Sequence, residues 1–243
     1  MDEYARGHIP TAVYVDLDSE LAKHGKPIDG RHPLPDRADL ESAARRWGLN
    51  HGESVVVYDD AFGMAAARAW WLLRYSGVDD VRVLDGGYAA WLALAAPVST
   101  DDVKPARGTI QLRYGSLPTV DADGAVQLAR DGVLLDARAA QRYRGEIEPI
   151  DPRAGHIPGA TSAPTTENLD EAGLLLAPEL LAARFSTMGI NDQTPVGVYC
   201  GSGVTAAHQA LAMVVAGFPM PALYPGSFSA WSNDPVREVV REG

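Results

Sequence analysis

Three short segments of this chain occur twice, in the same order. Gly7-His8-Ile9-Pro10-Thr11-Ala12 returns as Gly155-His156-Ile157-Pro158-Gly159-Ala160. Val55-Val56-Val57-Tyr58-Asp59-Asp60 returns as Val196-Gly197-Val198-Tyr199-Cys200-Gly201. Asp85-Gly86-Gly87-Tyr88-Ala89-Ala90-Trp91 returns as Pro225-Gly226-Ser227-Phe228-Ser229-Ala230-Trp231. The offsets are 148, 141 and 140 residues. Chance rarely preserves both order and spacing, so the chain reads as two copies of one fold. Each copy alternates helical and strand-like runs. In the first, helices are expected over 36–47, 65–75 and 88–94, with Gly48 stopping the first of them, and strands over 54–58 and 81–84. In the second, helices are expected over 121–130, 178–188 and 206–216, and strands over 133–136, 195–199 and 222–224. Such alternation implies an α/β fold with parallel sheets flanked by helices.

The copies are unequal. The second carries a helix and a strand, 121–136, before its Gly-His-Ile-Pro segment, whereas the first has six residues before its own. The comparison predicts a first domain without an N-terminal strand and helix. A truncated or misassigned start would produce this, and so would a first copy that never had them. The expected division is a first domain over 1–96, a linker over 97–118 containing Pro97, Pro105, Gly108 and Gly115, and a second domain over 119–243.

At 243 residues and 46% hydrophobic content the chain can bury two modest cores. A net charge of −11 argues against nonspecific binding to nucleic acid or anionic membranes. No apolar run approaches the roughly 20 residues needed to span a bilayer, and the acidic start, Met1-Asp2-Glu3-Tyr4, is unlike a signal peptide. The single cysteine excludes an intrachain disulfide and fits a reducing, cytoplasmic setting.

That cysteine, Cys200, carries the chemistry. The apolar strand 196–199 leads into it and the helical run 206–216 follows, with only Gly201-Ser202-Gly203-Val204-Thr205 between. A thiol at the C-terminal end of a strand in an α/β sheet sits where such sheets bind ligands. Backbone N–H groups of a short loop and the helix N-terminus supply positive potential there, and the thiolate is the nucleophilic form. In the first copy the matching position is Asp59, which cannot act as a sulfur nucleophile, so the first domain is expected to be noncatalytic.

A doubled α/β unit with one cysteine in its second half resembles the two-domain rhodanese-like sulfurtransferases. The paired Gly-His-Ile-Pro and Gly-Ser-Phe-Ser-Ala-Trp segments look like that family's signatures. The Cys-Gly-Ser-Gly-Val-Thr loop looks like that of its mercaptopyruvate-using members, because thiosulfate-using members carry basic residues there. The resemblance implies two tandem rhodanese-like domains and a ping-pong reaction. A small-molecule donor passes a sulfane sulfur to Cys200, which hands it to a thiol, a thioredoxin-like protein or cyanide, without cofactor or metal. It further implies that Cys200 is the nucleophile and that Ser202, Asp18 and His32 form a proton relay. Arg142 and Arg153 would bind the donor carboxylate, and the backbone of Gly201, Gly203, Val204 and Thr205 would line the site. A neutral loop suits a monoanionic keto acid better than a dianion such as thiosulfate, and bidentate arginine is the natural carboxylate handle. Arg144, His24, His51 and His208 are expected to be surface residues, and His8 and His156, present in both copies, structural ones.

Other readings remain in the sequence. Thiosulfate as donor is one, and a noncatalytic persulfide carrier or binding module is another. Gly201-x-Gly203-x-x-Ala206 fits a dinucleotide fingerprint, but no Asp or Glu ends the next strand. A cysteine phosphatase needs an arginine closing the loop, and residues 206 and 207 are alanines.

Overall fold

The computed structural model describes residues 1–242. The chain divides into two compact units, one made of Met1–Lys23 and Leu34–Ser116, the other of His24–Pro33 and Leu117–Gly243.

The first unit holds helices α1 (Asp2–Arg6), α2 (Leu17–Glu20) and α3 (Arg37–Arg46), strand β1 (Val55–Val57), helix α4 (Met64–Tyr75), strand β2 (Val81–Val83) and helix α5 (Gly87–Ala93). β1 and β2 pair in parallel, Val55 opposite Val81 and Val57 opposite Val83. Leu40, Ala44, Ala67, Trp71, Leu72 and Leu73, from α3 and α4, are buried in its core. Residues 97–116 lie within this unit rather than apart as a linker. Ile110 and Leu112 are buried, the Ile110 carbonyl accepts from Arg45 Nε at 2.8 Å, and Leu112 N–H donates to Glu41 at 3.0 Å. Gly108 permits this close run, because a Cβ there would lie 2.0 Å from the Leu49 carbonyl oxygen.

The second unit holds α6 (Ala122–Asp131), β3 (Val133–Asp136), α7 (Ala140–Arg144), β4 (Thr161–Ser162), α8 (Pro178–Thr187), β5 (Val196–Tyr199), α9 (Thr205–Val215), β6 (Ala222–Leu223) and α10 (Ser227–Asn233). Its four strands run parallel in the order β4-β3-β5-β6. All four residues of β5 are buried, the pattern of a central parallel strand covered on both faces. α6 packs on β3 and β5, α9 on β5 and β6, and α8 on α9. The core gathers Leu134, Tyr143, Ile157, Tyr199, Phe228 and Trp231. A buried ion pair, Arg138 to Asp136 at 2.6 Å, closes the C-terminal end of β3, with the guanidinium 3.8 Å over the Phe228 ring.

The two sheets differ as the repeat predicts. β1 and β2 correspond to β5 and β6, while among the described residues the first unit has no counterpart of β3. Without that partner, residues 12–16, which match the β4 region, form no ladder. One edge of β1 stays open, and Val56 is 60% exposed where all of β5 is buried.

The repeat also recurs in detail. His8 Nδ1 bonds the Tyr4 carbonyl oxygen and stacks on Tyr4, and His156 Nδ1 bonds the Tyr143 carbonyl oxygen and stacks on Tyr143. Each histidine backbone also forms a bridge, His8 with Ser99 and His156 with Val240. Both histidines are structural.

Candidate active site

Cys200 directly follows β5 and is 1% exposed. The loop turns through Gly203, whose φ of +80° lies in the left-handed region that glycine adopts without strain. The turn brings Gly203 N–H to Cys200 Sγ at 3.1 Å. Val204 is the N-cap residue of α9 and Thr205 its first residue, so the thiol sits at a helix N-terminus. The start of α10 fixes the loop from the other side. Phe228 N–H donates to the Cys200 carbonyl at 2.9 Å and Ser229 N–H to the Gly201 carbonyl at 2.8 Å. Ser227 Oγ accepts from Cys200 N–H at 3.2 Å and donates to the Tyr224 carbonyl. Ser227 holds a φ of +52°, and its counterpart in the first copy, Gly87, has a φ of +55°. Ser227 escaped the sequence reading, although the repeat places it opposite a glycine.

The first unit shows what this loop type holds. Asp59, at the position matching Cys200, has its carboxylate wrapped by backbone. Oδ1 accepts from Ala61 N–H at 2.8 Å and Gly63 N–H at 2.9 Å, and Oδ2 from Ala65 N–H at 2.7 Å and Ala66 N–H at 2.8 Å. A strand-to-helix loop of this sequence spacing is thus an anion cradle. In the second unit the group at its mouth is a thiol.

Residues 24–33 come from the first half of the sequence but belong to the second unit. A 3₁₀ turn, Pro27–Asp29, packs on α10. Gly30 follows at φ +88°, and a Cβ there would lie 2.7 Å from the Gly226 carbonyl oxygen. This close backbone approach delivers Arg31 and His32 to the cysteine loop. His32 Nδ1 lies 2.7 Å from Ser202 Oγ. Two residues 170 apart in sequence thereby form the hydrogen-bonded pair expected of a proton relay. Asp18, the third expected member, is an exposed residue of α2 in the first unit.

Arg142 projects from α7. It donates to both oxygens of Glu148, at 3.2 and 2.7 Å, and to Asp151 Oδ2 at 3.0 Å. Its Nη1 comes within 3.5 Å of the point a Gly201 Cβ would occupy. Arg31 ion-pairs with Asp151 Oδ1, and its Nη2 is 2.8 Å from the same Gly201 point. One buried carboxylate thus bridges two guanidiniums that converge on the cysteine loop. Burial pushes the Asp151 carboxyl above its ordinary range, although both arginines oppose it. Burial also acts to raise Glu148, but its hydrogen bond from Arg142 and the backbone donors outweigh it and hold the carboxyl below its ordinary range.

Arg153 corrects the sequence reading. Its guanidinium donates to the carbonyls of Ser232, Arg237, Trp231 and Asp234, at 2.6 to 2.8 Å. It ties its loop to the segment after α10 and is committed there, so it does not serve the donor. The second arginine beside the loop is Arg31, which the sequence reading missed although it precedes His32. No local pattern encodes its contact with Asp151, 120 residues away. His208, expected at the surface, is instead buried and hydrogen-bonded through Nδ1 to Thr165 Oγ1 at 2.7 Å. Arg144 pairs with Glu146 at the surface. Among the described residues, no group of three or more His, Cys, Asp or Glu side chains is placed to hold a metal ion, and no helix is long and apolar enough to cross a membrane.

The rhodanese-like domain family matches residues 1–94 and 121–234. The chain belongs to the rhodanese-like family. A Pseudomonas aeruginosa member named for 3-mercaptopyruvate sulfurtransferase activity is 47% identical over 98% of this chain and 85% of its own length. A Mycobacterium tuberculosis member named for thiosulfate sulfurtransferase activity is 44% identical over 98% of this chain and 84% of its own. Among solved structures, the 3-mercaptopyruvate sulfurtransferase SseA of Escherichia coli superposes with a TM-score of 0.83 at 35% identity, over 93% of this chain and 84% of that one. The anaerobic ergothioneine biosynthesis enzyme of Chlorobium limicola superposes with a TM-score of 0.85 at 26% identity. This chain spans 62% of that protein's length. The rhodanese-like fold, twice repeated, accounts for both sheets and for the loop that carries Cys200.

Proposed function

We propose that this protein is a sulfurtransferase that takes the sulfur of 3-mercaptopyruvate onto Cys200 and passes it to a thiol. The observation that carries the reading is the Cys200 loop, with Sγ on the Gly203 N–H at a helix N-terminus and the neighbouring Ser202 hydroxyl on His32. Relatives named for this activity support the choice of donor.

In the first half-reaction the Cys200 thiolate attacks the donor sulfur. An S–S bond forms, the donor C–S bond breaks, and its electron pair leaves on carbon as the enolate of pyruvate. The Ser202 hydroxyl protonates that carbon and is reprotonated through His32. Arg142 holds the donor carboxylate, exchanging part of its contact with Glu148 and Asp151 for the substrate. The persulfide then sits in a loop of the type that wraps the Asp59 carboxylate in the first unit. In the second half-reaction an acceptor thiolate attacks the outer sulfur, the Cys200 S–S bond breaks, and the electron pair returns to Sγ. A small thiol or a thioredoxin-like protein is the acceptor class, and a lone unpaired cysteine suits a reducing compartment such as the cytoplasm.

The deciding measurement is turnover with 3-mercaptopyruvate and a thiol acceptor, with mass spectrometry of the enzyme after donor alone. The expected result is one added sulfur on Cys200, removed by dithiothreitol, with turnover and adduct both lost in Cys200→Ser. Substantial turnover by Cys200→Ser overturns the mechanism.

A further inference from the structure

We propose that Arg31 is a specificity residue of the donor site, a second anion-binding cation beside Arg142 that admits doubly charged sulfur donors. The inference rests on Cys200 being the sulfur-accepting nucleophile. It replaces the expectation that a neutral loop alone decides the donor.

The loop holds no charged residue, but two paired guanidiniums converge on it. The Arg31 and Arg142 guanidiniums lie 2.8 and 3.5 Å from one point above Gly201, the residue that follows the nucleophile. Asp151 holds them together, one on each carboxylate oxygen. The two cations are not equivalent. Arg142 is anchored by three hydrogen bonds to Glu148 and Asp151, and its side chain is 16% exposed. Arg31 engages Asp151 through Nη1, turns Nη2 toward Gly201, and is 30% exposed. On its open side a cleft of about 350 Å³ is lined by His24, Lys26, Arg31, Asp151, Ser229 and Asn233. The basic members of that lining outnumber its one carboxylate.

This arrangement distinguishes donors by charge. A keto acid presents one carboxylate, which a single bidentate guanidinium satisfies. Thiosulfate carries two charges in a compact group, and a second cation in a partly desolvated site stabilises the additional one. Its reaction at Cys200 balances without a further reactant. The thiolate attacks the outer sulfur, the donor S–S bond breaks, and sulfite leaves with the electron pair. Arg31 and Arg142 together stabilise the charge on the departing sulfite, whereas the keto acid requires Arg142 alone.

The test compares kcat/KM for thiosulfate and for 3-mercaptopyruvate in the unmodified chain, Arg31→Ala and Arg31→Lys, with thermal melting of each. The unmodified chain is expected to use both donors. Arg31→Ala is expected to lower the thiosulfate-to-mercaptopyruvate ratio at least tenfold, and Arg31→Lys to recover part of it. An unchanged ratio overturns the proposal, whether both rates persist or both fall with the melting temperature, because a role confined to bracing Asp151 and Arg142 affects both donors alike. Absence of thiosulfate turnover in the unmodified chain also overturns it. Absence of mercaptopyruvate turnover instead overturns the proposed function. In that case the thiosulfate rate and the sulfur adduct on Cys200 still read the effect of Arg31, and a fall of less than tenfold in Arg31→Ala overturns the proposal.

Discussion

At the scale of single residues, the two expected substrate arginines part company. Arg142 faces the cysteine loop, so Arg142→Ala is expected to cost about 2–4 kcal/mol in kcat/KM for mercaptopyruvate, mostly through KM. Arg142→Lys recovers only part, because a point charge cannot replace a bidentate fork. A near-normal KM in Arg142→Ala would remove it from the site. Arg153 behaves oppositely. Its loss strands the four carbonyls it binds. With water reaching some of them, Arg153→Ala is expected to destabilise the fold by about 2–4 kcal/mol, and the donor KM is expected to change little. Denaturant melting and steady-state kinetics on the same variant separate the two effects. Cys200 and Ser202 stood out in the sequence because a strand, a short glycine loop and a helix follow one another there, and Arg142 because Gln141-Arg142-Tyr143-Arg144-Gly145 resembles the family's substrate-arginine segment. Arg31 did not, since its meaning arises from Gly201 and Asp151, both more than a hundred residues away. The same contact alters how loop charge is to be tested. A side chain added at Gly201 meets Arg31 Nη2 at 2.8 Å, so Gly201→Arg would displace a cation as well as add one.

At the scale of elements, the periodicity of each long helix and the apolar run of each central strand were legible to within about two residues. The expected 133–136 strand is β3, the 178–188 helix is α8 over Pro178–Thr187, and the 206–216 helix is α9 over Thr205–Val215. Three elements at the site were not legible, the five-residue α7 that carries Arg142 among them. β4 is two residues long and exists through its pairing with β3. α10 opens on a serine with positive φ and no side-chain N-cap, so it carries no start signal. The segment that matters most is the irregular run 24–33, whose approach to α10 depends on Gly30. Gly30→Ala adds a Cβ 2.7 Å from the Gly226 carbonyl oxygen at a φ of +88°. The expected outcome is a stability loss of about 1–3 kcal/mol together with at least a tenfold fall in kcat, because His32 leaves Ser202 when the segment shifts. Full activity in a folded Gly30→Ala variant would show that this approach does not position the relay.

At the scale of the whole molecule, the two copies of one fold differ in sheet and in cradle. The second has the four-stranded sheet and the nucleophile, while the first has two strands and a carboxylate in the matching cradle. A two-stranded sheet buries less apolar surface and leaves β1 with an open edge and Val56 60% exposed. The first unit is therefore expected to melt before the second, giving two calorimetric transitions in place of one. Connectivity gives the lower transition a functional consequence. Residues 24–33 belong to the second unit, but the chain on both sides of them, through Lys23 and from Leu34, belongs to the first. Melting the first unit releases both ends of the segment that carries Arg31 and His32. Activity is then expected to follow the lower transition, while the second unit's tryptophan, Trp231, buried beside Phe228 and Tyr224, keeps its native signal until the upper one. The measurement is residual mercaptopyruvate turnover across a temperature series, set against calorimetry and near-UV circular dichroism. Asp59→Ala provides the control. It strips the acceptor from four backbone N–H groups of the first unit alone, and so is expected to lower the first transition by several degrees and leave the second in place. If activity followed the upper transition in both proteins, the 24–33 segment would hold its place without its flanks, and the first unit would be dispensable to the positioning of His32.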